Sequence, residues 1–148
     1  MLKLPPPAWA FLYLIIAGAV SWFYPWRALL DLRIVWLSVV LVAIGVAISV
    51  WASLLFRREG TELNPTSEVN KSLVVRGPFR FTRNPMYLGL VIFTLGVALG
   101  VGALPMFAVP LLVFVTANWA HIPFEEAKMR RQFGAAFDRY MREVRRWI

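Results

Sequence analysis

The chain has 148 residues, of which 59% are hydrophobic and only 16% charged, with a formal net charge of +8. Soluble domains carry about a quarter charged residues. Here long windows carry none, which excludes an ordinary soluble domain and points to one small helical bundle in lipid. Cysteine is absent and histidine occurs once, at His121, which excludes disulfides, thiolate sites and a histidine-rich metal centre, so no metal site is expected.

Four apolar segments follow in chain order. The first runs from about residue 9 to 26; Lys3 before it and Ala17-Gly-Ala19 within it form a weak leader-like pattern, and the segment is expected to be retained as a span. The second, about 34–56, is free of charge along its apolar run and long enough to cross a core of roughly 30 Å. A polar loop, 57–85, leads to a third segment, 86–104, and a fourth, 105–121, joined tightly at Gly102-Ala-Leu-Pro105. Gly96-Val-Ala-Leu-Gly100 is a small-xxx-small pattern that permits close helix contact, within the chain or in a homodimer. Pro110 is expected to kink the fourth segment. The reading is an all-α polytopic membrane protein, one domain over 1–148, with about four transmembrane helices and a cytoplasmic amphipathic C-terminal helix.

Charge placement orients these spans. With an even number, one side holds Lys3, then Arg57, Arg58, Lys71, Arg76, Arg80 and Arg83, then the basic residues after His121; the other holds Arg27 and Arg33. The positive-inside rule puts both termini and the 57–85 loop in the cytoplasm, with the cell (inner) membrane as the expected location. The tail, 123–147, reads as a separate helix. Phe133, Phe137, Tyr140, Val144 and Trp147 recur at helical spacing, with arginines elsewhere, so it is expected to lie on an anionic leaflet or to cover a site. The basic charge is explained by topology, and with no recognition module nucleic acid is not expected as a partner. No charged residue falls in mid-membrane, which argues against a transporter.

Two polar clusters frame the third and fourth segments. Asn84-Pro85 marks a helix start, with Asn as N-cap and Pro at the first position. A helix start alone does not account for Arg76, Phe79, Arg80, Phe81, Arg83 and Tyr87 in the same dozen residues. The turn signal Gly77-Pro78 lets side chains and amides converge there, and a helix N-terminus favours an anionic group. Glu125 and Glu126 follow Pro123 and are expected to open the tail helix. First-turn acids complement the helix dipole; a carboxylate pair beside the membrane can equally bind a cation or ribose hydroxyls. Both readings stand.

In order, Gly77-Pro-Phe79, Arg83-Asn-Pro-Met-Tyr87, Glu125-Glu126, Phe133-Gly134, Tyr140 and Arg145-Arg-Trp147 resemble the membrane methyltransferase family that includes isoprenylcysteine carboxyl methyltransferase and bacterial phospholipid-methyltransferase relatives. The resemblance covers about the last half of the chain. It implies S-adenosylmethionine as cofactor and a lipophilic, membrane-partitioned methyl acceptor, with membrane lipid around it. Carried over by position, Lys71, Ser72, Leu73 and Val74 pass along the cofactor largely through main chain, Phe79 supplies an aromatic wall, Asn84, Pro85, Met86 and Tyr87 form another wall, and Glu125 binds the cofactor. His121 falls where carboxyl-methylating members place an arginine near the acceptor. Lys71 replaces a histidine of the family pattern, Phe79 a tyrosine and Asn84 a histidine, and His121 lacks the bidentate fork that suits a carboxylate acceptor.

Methyl transfer from a sulfonium is an in-line displacement for which positioning can be worth roughly 7–11 kcal/mol. Tyr87 and Phe79 are candidate faces for the sulfonium, and Arg83 and Arg76 candidate partners of the donor's carboxylate. A neutral amine or thiol needs a base, and His121 and Glu126 are the titratable candidates; Arg131 is grouped with them as a candidate catalytic residue. Two other readings remain: a membrane reductase using a nicotinamide cofactor, and a non-catalytic accessory protein whose basic loop binds anionic lipid.

Overall fold

The computed structural model describes residues 5–23, 33–58 and 73–148; Lys3, Arg27, Lys71 and Ser72 lie outside them. Among the described residues every regular element is helical. Helix α1 spans Pro6–Phe23, α2 Val35–Arg58, α3 Pro85–Val101, α4 Ala108–Thr116, α5 Ile122–Phe133 and α6 Ala135–Glu143. Short 3-10 turns cover Gly77–Arg80 and Leu104–Phe107, and a π turn covers Ala117–His121. By length and apolar composition, Pro6–Phe23, Val35–Arg58 and the continuous helical path Leu104–Phe133 can cross a membrane. With 17 residues, α3 is shorter; at 1.5 Å per residue it rises about 25 Å, somewhat less than a hydrocarbon core.

Close approach of α2 and α3 builds the centre of the bundle. Gly89, Gly96 and Gly100 of α3 lie against α2: a Cβ on Gly89 would meet Gly45 O at 2.6 Å, one on Gly96 would meet Val42 N at 2.8 Å, and one on Gly100 would meet Ser38 Oγ at 2.5 Å. The small-residue face is thus spent inside the chain, on α2. Ala10 and Ala17 of α1 pack with Ala98, Met106, Val109 and Val113 in a second layer. Gly102, at φ 71°, ends α3, its N–H donating to Ala98 O at 2.8 Å, a left-handed cap that glycine adopts without a Cβ penalty.

Three expectations need correction. Pro110 falls in the first turn of α4, where a missing N–H costs nothing; the irregularity lies just before it, in the 3-10 turn at Leu104–Phe107. Glu125 falls in the first turn of α5, as expected, but this helix continues from α4 and is not separate from it. The chain stays helical from Leu104 to Phe133 because the π turn widens the path ahead of Pro123: Ile122 N–H donates to Ala117 O, five residues back, and proline's lost donor is absorbed there. The tail, finally, is not one helix over 123–147. Gly134, at φ 51° and ψ −126°, separates α5 from α6, and the backbone is extended at Val144. The apolar face read in the tail exists, but it turns inward: Phe137 and Tyr140 are buried with Ala52, Val74 and Phe79 rather than lying on a leaflet.

Candidate functional site

The site forms where the start of α3 meets α5 and α6. Asn84 precedes Pro85 as the sequence indicates, yet its side chain does not cap the helix. Instead Asn84 Nδ2 donates to Arg146 O at 3.0 Å, and its own N–H donates to Thr82 Oγ1 at 3.1 Å. Thr82 Oγ1 donates to the same Arg146 carbonyl at 3.1 Å, and Arg83 N–H donates to Arg145 O at 2.9 Å. The extended C-terminal segment therefore runs across the entrance to α3 and supplies the acceptors that this turn needs.

Side chains reinforce the crossing. Arg83 donates from Nη2 to Glu126 Oε1 at 2.8 Å and from Nη1 to Val144 O at 2.6 Å and Met141 O at 3.2 Å. Arg146 donates from Nη2 to Glu126 Oε2 at 2.6 Å. One carboxylate thus sits between two guanidiniums, a network whose members are more costly to remove singly than in pairs. Trp147 Nε1 donates to Asn118 Oδ1 at 3.1 Å, and its ring packs on Phe114 with centroids 4.7 Å apart. The tail is thereby tied both to the π turn and to the cluster of Tyr87, Ala117 and Ile122.

At the centre, Tyr87 OH donates to Glu125 Oε1 at 2.6 Å. Tyr87 is only 4% exposed, and an O–H to carboxylate bond of this length is at the strong end of the range. The two residues come from opposite ends of the α3–α4 hairpin and meet because antiparallel neighbours return the chain to the same level. His121 stacks on the Tyr87 ring, with centroids 6.1 Å apart and planes 28° apart. Phe79 is buried edge-on to Phe56 at 4.9 Å, and its carbonyl accepts from Tyr140 OH at 2.7 Å. Burial holds the Tyr140 phenol above its usual pKa.

Two cavities meet at this pair. The first, about 60 Å³, is lined by Phe79, Asn84, Pro85, Met86, Tyr87 and Glu125, with Leu73, Val74 and Arg83 completing one wall and Phe56, Met129, Phe137 and Tyr140 the other. The second, about 410 Å³ and largely apolar, lies between the start of α1, α2 and α3, with Phe11, Val50, Leu90 and Phe93 in its walls and Ser49 and Ser53 as polar points. Met86, Tyr87 and Glu125 line both, so the hydrogen-bonded pair stands between two largely apolar spaces, the smaller of which also has Arg83, Asn84 and Glu126 in its lining.

The structure thus gathers Leu73, Val74, Phe79, Arg83, Asn84, Pro85, Met86, Tyr87 and Glu125 around one cavity, with Glu126 at its edge. Arg83 and Glu126 face each other, and both oxygens of Glu126 accept from guanidiniums, Oε1 from Arg83 and Oε2 from Arg146. His121 lies beside a small separate cavity with Trp9 and Thr116. Arg131 is exposed and lines none of these spaces; the structure does not bring it to the site. Sequence reasoning missed Phe56, Met129, Asn118 and the Ser49–Ser53 pair. The two serines are four residues apart on one face of α2, and Asn118 is the polar residue in the fourth apolar segment just before His121; both are signals that reading could have used. Among the described residues, no three His, Asp or Glu side chains gather to hold a metal ion.

No curated protein and no solved structure gives a match to the chain. The family model for phospholipid methyltransferase matches residues 33–136, a stretch that includes α2, the start of α3 with Tyr87, and Glu125. Through that match over most of its length, the chain belongs to the phospholipid methyltransferase family, integral membrane methyltransferases related to isoprenylcysteine carboxyl methyltransferase.

Proposed function

We propose that this protein transfers a methyl group from S-adenosylmethionine to a lipophilic acceptor that enters from the membrane, with the donor on the α5–α6 side of the Tyr87–Glu125 pair and the acceptor in the apolar cleft. The observation that carries this reading is the partition itself: one hydrogen-bonded pair stands between a pocket that Arg83, Asn84 and Glu126 help to line and a 410 Å³ apolar cleft. A reaction between a polar cofactor and a greasy substrate needs such a boundary.

The residues present suit the donor. Glu125 has a second carboxylate oxygen for ribose hydroxyls. The Phe79 and Tyr87 rings offer faces to a sulfonium, and the main chain at Leu73 and Val74 offers amides and carbonyls. Room is the constraint: 60 Å³ is well below the roughly 300 Å³ at which ligand pockets begin. On this reading donor entry opens the pocket by moving α6 outward on Gly134, whose positive φ marks the break in the tail.

When bound, the cofactor supplies an activated methyl on sulfur. The chain's task is to align the acceptor atom with that methyl and to keep water out. If the acceptor is a neutral amine or thiol, its nucleophilic atom gains the methyl, its proton leaves to a base, and the donor departs as a neutral thioether. With both Glu126 oxygens held by Arg83 and Arg146, His121 is the better placed of the two candidate bases, since its cavity shares Pro6, Tyr87 and Leu90 with the cleft. We place the active site at the cytoplasmic face of the inner membrane with both termini cytoplasmic, on the distribution of basic residues. Calorimetric titration of the purified protein with S-adenosylmethionine tests the reading: saturable binding that Glu125→Ala weakens at least tenfold supports it, and absence of binding refutes it.

A further inference from the structure

A further concavity opens on the outer side of α6, separated from the donor pocket by Leu73 and Tyr140, which line both. It encloses about 480 Å³, with Leu73, Val75, Ala136 and Val144 in its floor and Arg80 and Arg139 on its rims. Arg83, Arg130 and Arg146 are all ion-paired. The guanidiniums of Arg80 and Arg139 have neither hydrogen-bond nor ion-pair partner among the described residues. Glu143 is the one carboxylate in the lining, so the groove keeps a net positive charge.

Its depth relative to the membrane follows from α2. Gly77, which begins the turn carrying Arg80, sits against Leu55 and Trp51: a Cβ there would meet Leu55 Cδ1 at 2.6 Å and Trp51 Cζ2 at 3.4 Å. The turn is therefore level with the last two turns of α2, where Trp51 and Leu54 point outward and Arg57 and Arg58 end the helix. Phe81, next to Arg80, is 75% exposed. Outward tryptophan and phenylalanine next to terminal arginines mark the level of lipid headgroups. Exposed guanidiniums at that level, above an apolar floor, match a ligand with an anionic head and a hydrocarbon body.

We propose that this groove binds an anionic phospholipid of the surrounding leaflet, its phosphate between Arg80 and Arg139 and its glycerol and first methylenes on the floor at Val75 and Ala136. This site is distinct from the acceptor cleft and independent of the methyl-transfer reading. The lipid bridges α6 to the 3-10 turn that carries Phe79.

The test uses the full chain in a nonionic detergent, titrated with dihexanoylphosphatidylglycerol, dihexanoylphosphatidylcholine or inorganic phosphate and followed by calorimetry. Phosphatidylglycerol is expected to bind saturably and at least fivefold more tightly than either of the others. Removing both guanidiniums as Arg80→Gln with Arg139→Gln should cost about thirtyfold, and Arg80→Lys with Arg139→Lys should retain most of the affinity. Ala136→Trp, which fills the groove at an exposed position without changing charge, should also abolish binding while leaving S-adenosylmethionine binding intact. Equal binding of the two lipids, equal binding of inorganic phosphate, or unchanged affinity in either the glutamine pair or Ala136→Trp would overturn the proposal.

Discussion

Replacing Tyr87 by phenylalanine removes one oxygen from the centre of the site and nothing else. That oxygen donates to Glu125 Oε1 at 2.6 Å, from a ring that is 4% exposed. Hydrogen bonds to charged groups contribute about 1.5–3 kcal/mol, and losing the donor leaves a buried carboxylate oxygen short of a partner. If Glu125 is held in register for the donor by this bond, Tyr87→Phe should weaken S-adenosylmethionine binding by about 10- to 150-fold, that energy expressed as a ratio. Glu125→Gln alone should weaken it comparably. The double variant should lose far less than the two effects added, since the second change removes a partner already missing. Titration calorimetry on the four proteins completes the cycle. Purely additive losses, or a Tyr87→Phe protein within twofold of the parent, would show that the pair does not act as a unit in binding the donor.

Other outcomes follow from the packing and the strap. Gly96→Ala should be destabilising by about 1–3 kcal/mol, because its Cβ meets the α2 backbone at 2.8 Å, while Gly18→Ala, with nothing within 4 Å, should leave detergent-resistance curves unchanged. Trp147→Ala should lower both the thermal midpoint and donor affinity by freeing the extended segment across the start of α3, and Trp147→Phe, which keeps the ring on Phe114 but not the bond to Asn118, should lose only part. Arg131→Ala should leave donor affinity within twofold, whereas Arg83→Ala, which leaves Glu126 with Arg146 alone and the Met141 and Val144 carbonyls without their guanidinium donor, should lower stability by about 1–3 kcal/mol. Because the folded state raises the Tyr140 phenol above its unfolded value of 10.0, its contribution is present in full below pH 10 and is lost as the pH climbs beyond; Tyr140→Phe should flatten that alkaline fall in a thermal-midpoint profile.

Much of this architecture is written into local signals. Asn84-Pro85 fixes where α3 begins, Gly102 where it ends, and the tight joint that follows obliges α4 to return beside it; Tyr87 and Glu125 then have to meet at one level of the bundle. What periodicity hid was the tail. The spacing of Phe133, Phe137 and Tyr140 reads straight through Gly134, because an apolar stripe survives a change of direction when both helices face the same core. A glycine at that position in a helical pattern was the available warning. Pro123 misled in the opposite direction: it suggests a helix start, yet the preceding π turn lets the chain pass without a break. The Arg83–Glu126–Arg146 network has no sequence signature at all. It pairs residues from three elements, and its geometry exists only after the extended segment beyond Glu143 has folded back.

The most direct measurement is a crystal structure with S-adenosylhomocysteine. Adenosyl density between Phe79 and Glu125, with the sulfur directed past Tyr87 toward the α1–α2–α3 cleft and α6 displaced about Gly134, is the expected result. Density for the nucleoside elsewhere in the molecule, with the Tyr87–Glu125 pocket still closed at its present volume, would contradict the account.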